Sequence, residues 1–335
     1  MSMKYDFTTI LNREGTGAIA VSKIPFDNAE IKEGFSKIPM WVADMNYATA
    51  PSVIEAIQNR LAHPVFGYFD IKDAYSESII EWQKTRNGVT DIPKEAIDYE
   101  NGVLGGVSSV LQAFTAPGEA ILLHSPAYIG FIGTITNMGR KIVYSPLKKD
   151  EQGVWRMDYE DMDKKLKENH IHLAIFCTPH NPCGRVWERE EIEKAMEVYE
   201  KNKCLVISDE IWSDLTLEGH KHIPTQSVNE YAHEHTFAFY APSKTFNLAG
   251  LVSYHIVYNS YLRDRLMEAE KCSHYNSANV LSISALMGAY TKEGAEWVDE
   301  LREVLTQNVD YALHVGSLCL CHRNTLKMCC DICIC

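Results

Sequence analysis

Short, uninterrupted apolar runs alternating with helical stretches mark this 335-residue chain as an α/β protein with a mostly parallel sheet. The runs fall at residues 120–123, 141–144, 173–177, 204–208, 237–240 and 255–258. Strands covered by helices on both faces are apolar throughout rather than alternating, and these runs have that character. Helical segments at 158–168 and 188–201 lie between them. Polar, turn-forming residues follow several runs, which is where open α/β sheets collect functional groups.

The chain begins with a polar, turn-rich arm, residues 1–38, followed by the dense segment Pro39-Met40-Trp41-Val42-Ala43-Asp44-Met45-Asn46-Tyr47. Asp44 taken alone reads as a turn residue. Pro51 suits a first helical position, and Val53, Ile54, Ile57 and Leu61 follow at helical spacing. Val65-Phe66-Gly67-Tyr68-Phe69 is a short aromatic loop. Residues 74–86 form a second helix with Tyr75, Ile79 and Trp82 on one face. The glycine-rich stretch Asn101–Ser109 leads into an apolar helix at 110–115, and a glycine-rich helix start exposes N–H groups to an anion. Beyond residue 260 the pattern is helical only, at 261–272, 280–290 and 293–313.

Composition narrows the function. Hydrophobic content of 46% and charged content of 23% are globular values. A net charge of −13 disfavours nucleic acid or an anionic membrane as partner. The sequence lacks an apolar run near the roughly 20 residues of a membrane helix and lacks an apolar signal core at its start. The expectation is a cytoplasmic protein acting on a small molecule.

The chemistry centres on Tyr240-Ala241-Pro242-Ser243-Lys244-Thr245-Phe246-Asn247. A lysine past a buried run can be partly desolvated and form a Schiff base with an aldehyde. The remaining chain carries what an aldehyde cofactor with a pyridine ring and a phosphate requires. Asp209, closing the fourth run, can keep a ring nitrogen protonated. Asn181, within Thr178-Pro179-His180-Asn181-Pro182-Cys183-Gly184-Arg185, can donate to a phenolic oxygen. Tyr128 can stack on a ring face. Gly106, Val107, Ser108 and Ser243 can hold a phosphate. Each residue has an ordinary structural reading by itself: Asp209 as a helix cap, Asn181 in a turn, Tyr128 in the core. Their order at successive strand ends favours the joint reading.

These motifs resemble fold-type I pyridoxal-phosphate enzymes of the class I/II aminotransferase superfamily. Pro39–Met45, Phe66-Gly67-Tyr68, His180–Trp187 and Ala241–Leu251 are similar to its MalY/PatB branch of cystathionine (cysteine-S-conjugate) β-lyases. The resemblance covers about residues 5 to 312. It implies a pyridoxal 5'-phosphate-binding, transferase-like large domain at 51–275, after an arm and substrate-entrance segment at 1–50. A small C-terminal α/β domain would be incomplete here, at 276–313. The resemblance also implies a homodimer in which Tyr68 reaches the partner subunit's cofactor, with Trp41 and Asp44 near the substrate entrance. Lys244 would hold the cofactor covalently and then act as general base. Where relatives often carry Asp-Phe and Ser, this chain has Asn46-Tyr47 and Ala241.

Six of the ten cysteines follow Leu318, in a tail at 314–335 that does not match the family. Their spacing, with His322, is not a set of C-x2-C pairs, so no metal site is expected. The tail reads as an aberrant end without the arginine that clamps the substrate carboxylate in relatives, and Arg323 is not assigned that role. Three functions follow: a C–S β-lyase first, an aminotransferase second, and a catalytically impaired cofactor-binding protein third.

Overall fold

The computed structural model describes residues 3–22, 33–34, 41–251, 253–273 and 277–315. The expectations for Pro39 and Met40, and for the cysteine-rich stretch with His322 and Arg323, lie outside these residues.

Seven strands form the main sheet: β1 (Ile97–Glu100), β2 (Ala120–Ser125), β3 (Lys141–Pro146), β4 (Leu173–Cys177), β5 (Leu205–Asp209), β6 (Thr236–Tyr240) and β7 (Ser253–Ile256). Their order is β1-β7-β6-β5-β4-β2-β3. Strands β2 to β6 are parallel, and β7 runs antiparallel between β6 and β1. Sequence patterning missed β1, because Asp98 and Glu100 interrupt an apolar reading. It also placed the last strand two residues late.

After a single helical turn at Ile19–Ser22, the α-helices are α1 (Pro51–Leu61), α2 (Asp73–Trp82), α3 (Val103–Phe114), α4 (Ile129–Asn137), α5 (Tyr159–Glu168), α6 (Arg189–Lys201), α7 (Glu230–His235), α8 (Pro242–Thr245), α9 (Ser260–Ser273), α10 (Val280–Ala289) and α11 (Lys292–Val315). No helix among the described residues is long and apolar enough to cross a membrane.

Successive strand side chains point to opposite faces, and the core follows that alternation. Ile121, Leu123, Ile175, Ile207 and Phe239 join Val107, Leu111, Phe131 and Leu266 from α3, α4 and α9. Leu122, Ala174, Phe176 and Val206 face Met162, Ile192 and Met196 from α5 and α6. Each fully buried aliphatic or aromatic side chain contributes about 1.5–3 kcal/mol of burial. Such two-sided cover rigidifies the strand ends that carry the functional groups.

A third cluster unites Val53, Ile79 and Trp82 with Tyr99 and Tyr254 on the strands and with Leu286, Trp297, Leu301 and Leu305. The segment expected as a partial small domain thus packs into the same core as the first helices and the sheet edge. Helix α11 also runs through His314, across the expected domain end. Val53 is buried as the helical spacing predicts, whereas Ile54 and Leu61 are exposed.

Candidate active site

Adjacent parallel strands set the site. Register pairs Cys177 with Asp209 and Asp209 with Phe239, so the carboxyl ends of β4, β5 and β6 stand side by side. Neighbouring strands lie about 4.8 Å apart, which brings the residues following each end into one crevice. Thr178 N donates to Asp209 O (2.9 Å) and Glu210 N donates to Phe239 O (2.9 Å), extending the pairing beyond the strands.

Asp209 is 5% exposed, and Oδ1 accepts one hydrogen bond, from Ile211 N at 3.1 Å. Burial lifts its carboxyl to about 7, opposed by that N–H and by the charge of Lys244. The charge of Lys244 thus acts on Asp209, and the strand register sets their two turns side by side. Glu210, next in sequence, is fully buried but well supplied with donors. It accepts from His222 Nε2 (2.6 Å), Tyr240 OH (2.7 Å), Ser208 Oγ (2.8 Å) and Thr225 N (3.1 Å). Those bonds fix the turn that aims Asp209.

Lys244 sits in the one-turn helix α8, half-buried, with Nζ 5.5 Å from the centre of the Trp212 ring. An aromatic face at that range attracts a cation. The next residue, Thr245, donates to Asp214 Oδ2 at 3.1 Å, and Trp82 Nε1 donates to the same carboxylate at 3.2 Å from Oδ1. Neither Trp212 nor Asp214 had a role assigned from sequence. Only their closeness to the Asp-Glu-Ile motif could have signalled them.

Asn181 is 4% exposed in the turn after β4. Its neighbour His180 donates from Nε2 to Pro126 O at 2.9 Å, tying this turn to the one after β2. Burial depresses the His180 imidazole to about 4, so it stays neutral. Tyr128 precedes α4, half-buried, with its ring edge-to-face on Phe131 at 5.5 Å. Ser243 is 9% exposed in α8.

The anion cradle differs from the sequence expectation. Helix α3 begins at Val103, seven residues before the expected start, so Gly106, Val107 and Ser108 lie inside it. The Gly106 N–H is taken by Gly102 O (3.2 Å), Ser108 Oγ donates to Leu104 O (2.9 Å), and Val107 is wholly buried. Gly106 serves packing instead: a Cβ there would lie 2.1 Å from the Phe239 ring. The amides that helix geometry leaves without an intrahelical acceptor are those of Val103 and Leu104. Gly102 precedes them at φ 98°, with no side-chain cap over the helix start. That left-handed conformation suits glycine, and the uncapped turn suits a phosphate.

Three expected residues stand apart from this cluster. Tyr68 is fully exposed beside Phe66, Phe69 and Asn279, lining a cleft of about 700 Å³. Trp41 is 37% exposed and donates to Ala20 O at 3.4 Å. Asp44 is engaged in an ion pair with Arg13 at 2.5 Å.

The donor set fits pyridoxal phosphate: a desolvated carboxyl for the ring nitrogen, an amine beside it, and an uncapped helix start for the phosphate. Comparison with known proteins agrees. Residues 36–314 match the family model for aminotransferase class I and II. Cystathionine β-lyase PatB of Bacillus subtilis is 36% identical over 280 residues, covering 82% of this chain and 70% of that protein. Protein MalY of Escherichia coli is 32% identical over 312 residues, covering 92% and 77%. Among solved structures, pyridoxal-phosphate-containing cystalysin from Treponema denticola superposes with a TM-score of 0.86. It is 32% identical, and the match covers 92% of this chain and 78% of that one. The C–S lyase from Staphylococcus hominis gives 0.82 at 31% identity, covering 92% and 76%. This chain belongs to the class I and II aminotransferase family, with the fold-type I architecture of its pyridoxal-phosphate-dependent members.

Proposed function

We propose that this protein is a pyridoxal-phosphate-dependent C–S β-lyase, cleaving cystathionine or other cysteine S-conjugates to a thiol, pyruvate and ammonia. The observation that carries the reading is the desolvated Asp209 at the end of β5, within reach of the charge of Lys244 on the turn that follows β6. Relatives named cystathionine β-lyase and a solved C–S lyase, each matching more than four-fifths of this chain, support the choice of reaction.

When bound, the cofactor supplies an aldehyde that captures the substrate amine and a ring that accepts the electron pair left at Cα. The chain's own residues do the rest. Lys244 Nζ takes the Cα proton and returns one to the departing sulfur. The Trp212 face receives the ammonium this creates. Asp209 holds a proton on the ring nitrogen, Asn181 donates to the phenolic oxygen and Tyr128 covers the ring. The Val103 and Leu104 amides, with Ser243, hold the phosphate.

The working unit is a homodimer. Val65, Phe66, Tyr68 and Phe69 form an exposed apolar loop, which supports its burial against a second copy. In that reading Tyr68 completes the other subunit's phosphate site. The thiols of Cys177, Cys183 and Cys204 are buried and joined in no disulfide among the described residues, which supports a reducing, cytoplasmic setting. The test is product analysis on protein purified with its cofactor. Pyruvate, ammonia and homocysteine from cystathionine are expected. Amino-group transfer to a 2-oxo acid without pyruvate would make it a transaminase instead.

A further inference from the structure

A pair of hydrogen bonds joins segments 202 positions apart in sequence. Met45 N donates to Asn247 Oδ1 at 3.3 Å, and Asn247 Nδ2 donates to Met45 O at 2.9 Å. One side-chain amide thereby satisfies both main-chain groups of Met45. Arg13 grips the same point: it donates to Met45 O at 3.3 Å and to Asp44 Oδ2 at 2.5 Å. Leu11 N adds a bond to Asn46 O at 3.3 Å. The Met45 side chain is 5% exposed, in the core cluster that holds Trp212 and Phe246.

Asn247 lies three residues beyond Lys244 on a turn closed by Phe246 N to Pro242 O (2.8 Å) and Leu248 N to Ser243 O (2.9 Å). Its φ of 56° is left-handed, a conformation asparagine tolerates better than most residues. A bond between two moving segments would not need this degree of fixation. Here a backbone turn, a reciprocal amide and a guanidinium all converge on Met45.

We infer that Asn247, assisted by Arg13, is a positioning residue that locks residues 44–46 onto the turn carrying Lys244. The locked segment makes a fixed wall beside the Lys244 turn, through Met45 in the cluster that holds Trp212. A substrate amino acid then meets a preformed surface and need not order it on binding. What passes that wall rests on the lyase reading; the lock itself does not.

The test compares Asn247→Gly, Asn247→Asp and Arg13→Lys with the wild-type holoenzyme. Glycine keeps the left-handed backbone and deletes both bonds. Aspartate keeps the acceptor for Met45 N and sets a carboxylate against Met45 O. Lysine keeps the charge facing Asp44 and loses the guanidinium fork. Amide hydrogen exchange of residues 41–47 should quicken about tenfold in Asn247→Gly. Its KM for cystathionine should rise by about the same factor, with kcat within about twofold and the cofactor's visible absorbance unchanged. Asn247→Asp should behave like glycine at Met45 O, and Arg13→Lys should give a smaller step in the same direction. Exchange and KM at wild-type values in Asn247→Gly would overturn the inference. So would a kcat and cofactor loss that tracks melting temperature while KM stays fixed, since that marks a merely structural bond. Should the wild type fail to cleave cystathionine, the lyase reading falls, and the exchange measurement still decides the lock.

Discussion

Replacing Asp209 with Asn should stabilise the cofactor-free protein and cripple the enzyme. Burial raises the Asp209 carboxyl from the ordinary 3.8 to about 7. Between those values the folded protein binds a proton that the unfolded chain releases, so wild-type stability falls as pH rises across that window. The full displacement corresponds to about 4 kcal/mol, an upper bound on what the buried carboxylate costs above pH 7. Asparagine has nearly the same shape and does not titrate. Its advantage should be close to zero at pH 4 and should reach its plateau by pH 8. Thermal unfolding of the cofactor-free proteins at the two pH values measures this as a gap of several degrees that opens with pH. Cystathionine turnover should fall about a hundredfold or more, because a neutral amide cannot hold a proton on the ring nitrogen. A gap of equal size at both pH values would refute the desolvated carboxyl. Wild-type turnover in the variant would refute its role.

Other substitutions test other parts of the argument. Gly106→Ala pushes a methyl into the Phe239 ring and should cost about 1–3 kcal/mol in chemical denaturation, without changing the active-site donors. Glu270 on α9 lies buried beside Glu100 and His255, where burial and the Glu100 carboxylate raise it to about 9. Asp98 and Arg263 also bear on this cluster. Because the folded form keeps a proton that the unfolded chain loses above about 4.5, stability should fall as pH rises to about 9. Glu270→Gln should flatten that decline, measured as melting temperature at pH 5 and pH 9. Tyr68→Ser should lower cofactor affinity, read by absorbance titration, while leaving each subunit's melting temperature within about 2 °C, since an exposed ring contributes little to its own fold.

The sheet was legible because buried parallel strands announce themselves as apolar runs. The edge strand β1 was not. Strand β1 hides behind two carboxylates, Asp98 and the buried Glu100, and the burial of Glu100 depends on a partner that no local window contains: His255 Nδ1 meets Glu100 Oε1 at 2.8 Å from 155 residues away. The turns that carry Lys244, Asp209 and Asn181 were legible because each lies at or just beyond a strand's carboxyl end, and strand ends converge in this topology. The start of α3 was placed seven residues late because glycines inside a helix look like glycines before one. Only the Gly102 dihedral and the contact of Gly106 with Phe239 separate packing from anion binding. Arg13, Asn247 and Asp214 were missed because their roles exist only through contacts distant in sequence.

Asp209 and Glu210 show how one strand end can prepare two neighbouring carboxylates for opposite purposes. Both are buried, and burying a charge without partners is costly. Glu210 receives four donors from the protein itself and so has little capacity left for a ligand. Asp209 receives one backbone N–H, and burial leaves it holding its proton more tightly than usual. A carboxyl in that state gains most from an incoming cationic N–H donor, which supplies the partner the fold withholds. The fold therefore spends its donors on the residue that fixes the turn and leaves Asp209 short of them, which is what the proposed role at the ring nitrogen requires. On the proposed reading, selectivity for a protonated heterocycle would arise from where hydrogen bonds are absent as much as from where they are made.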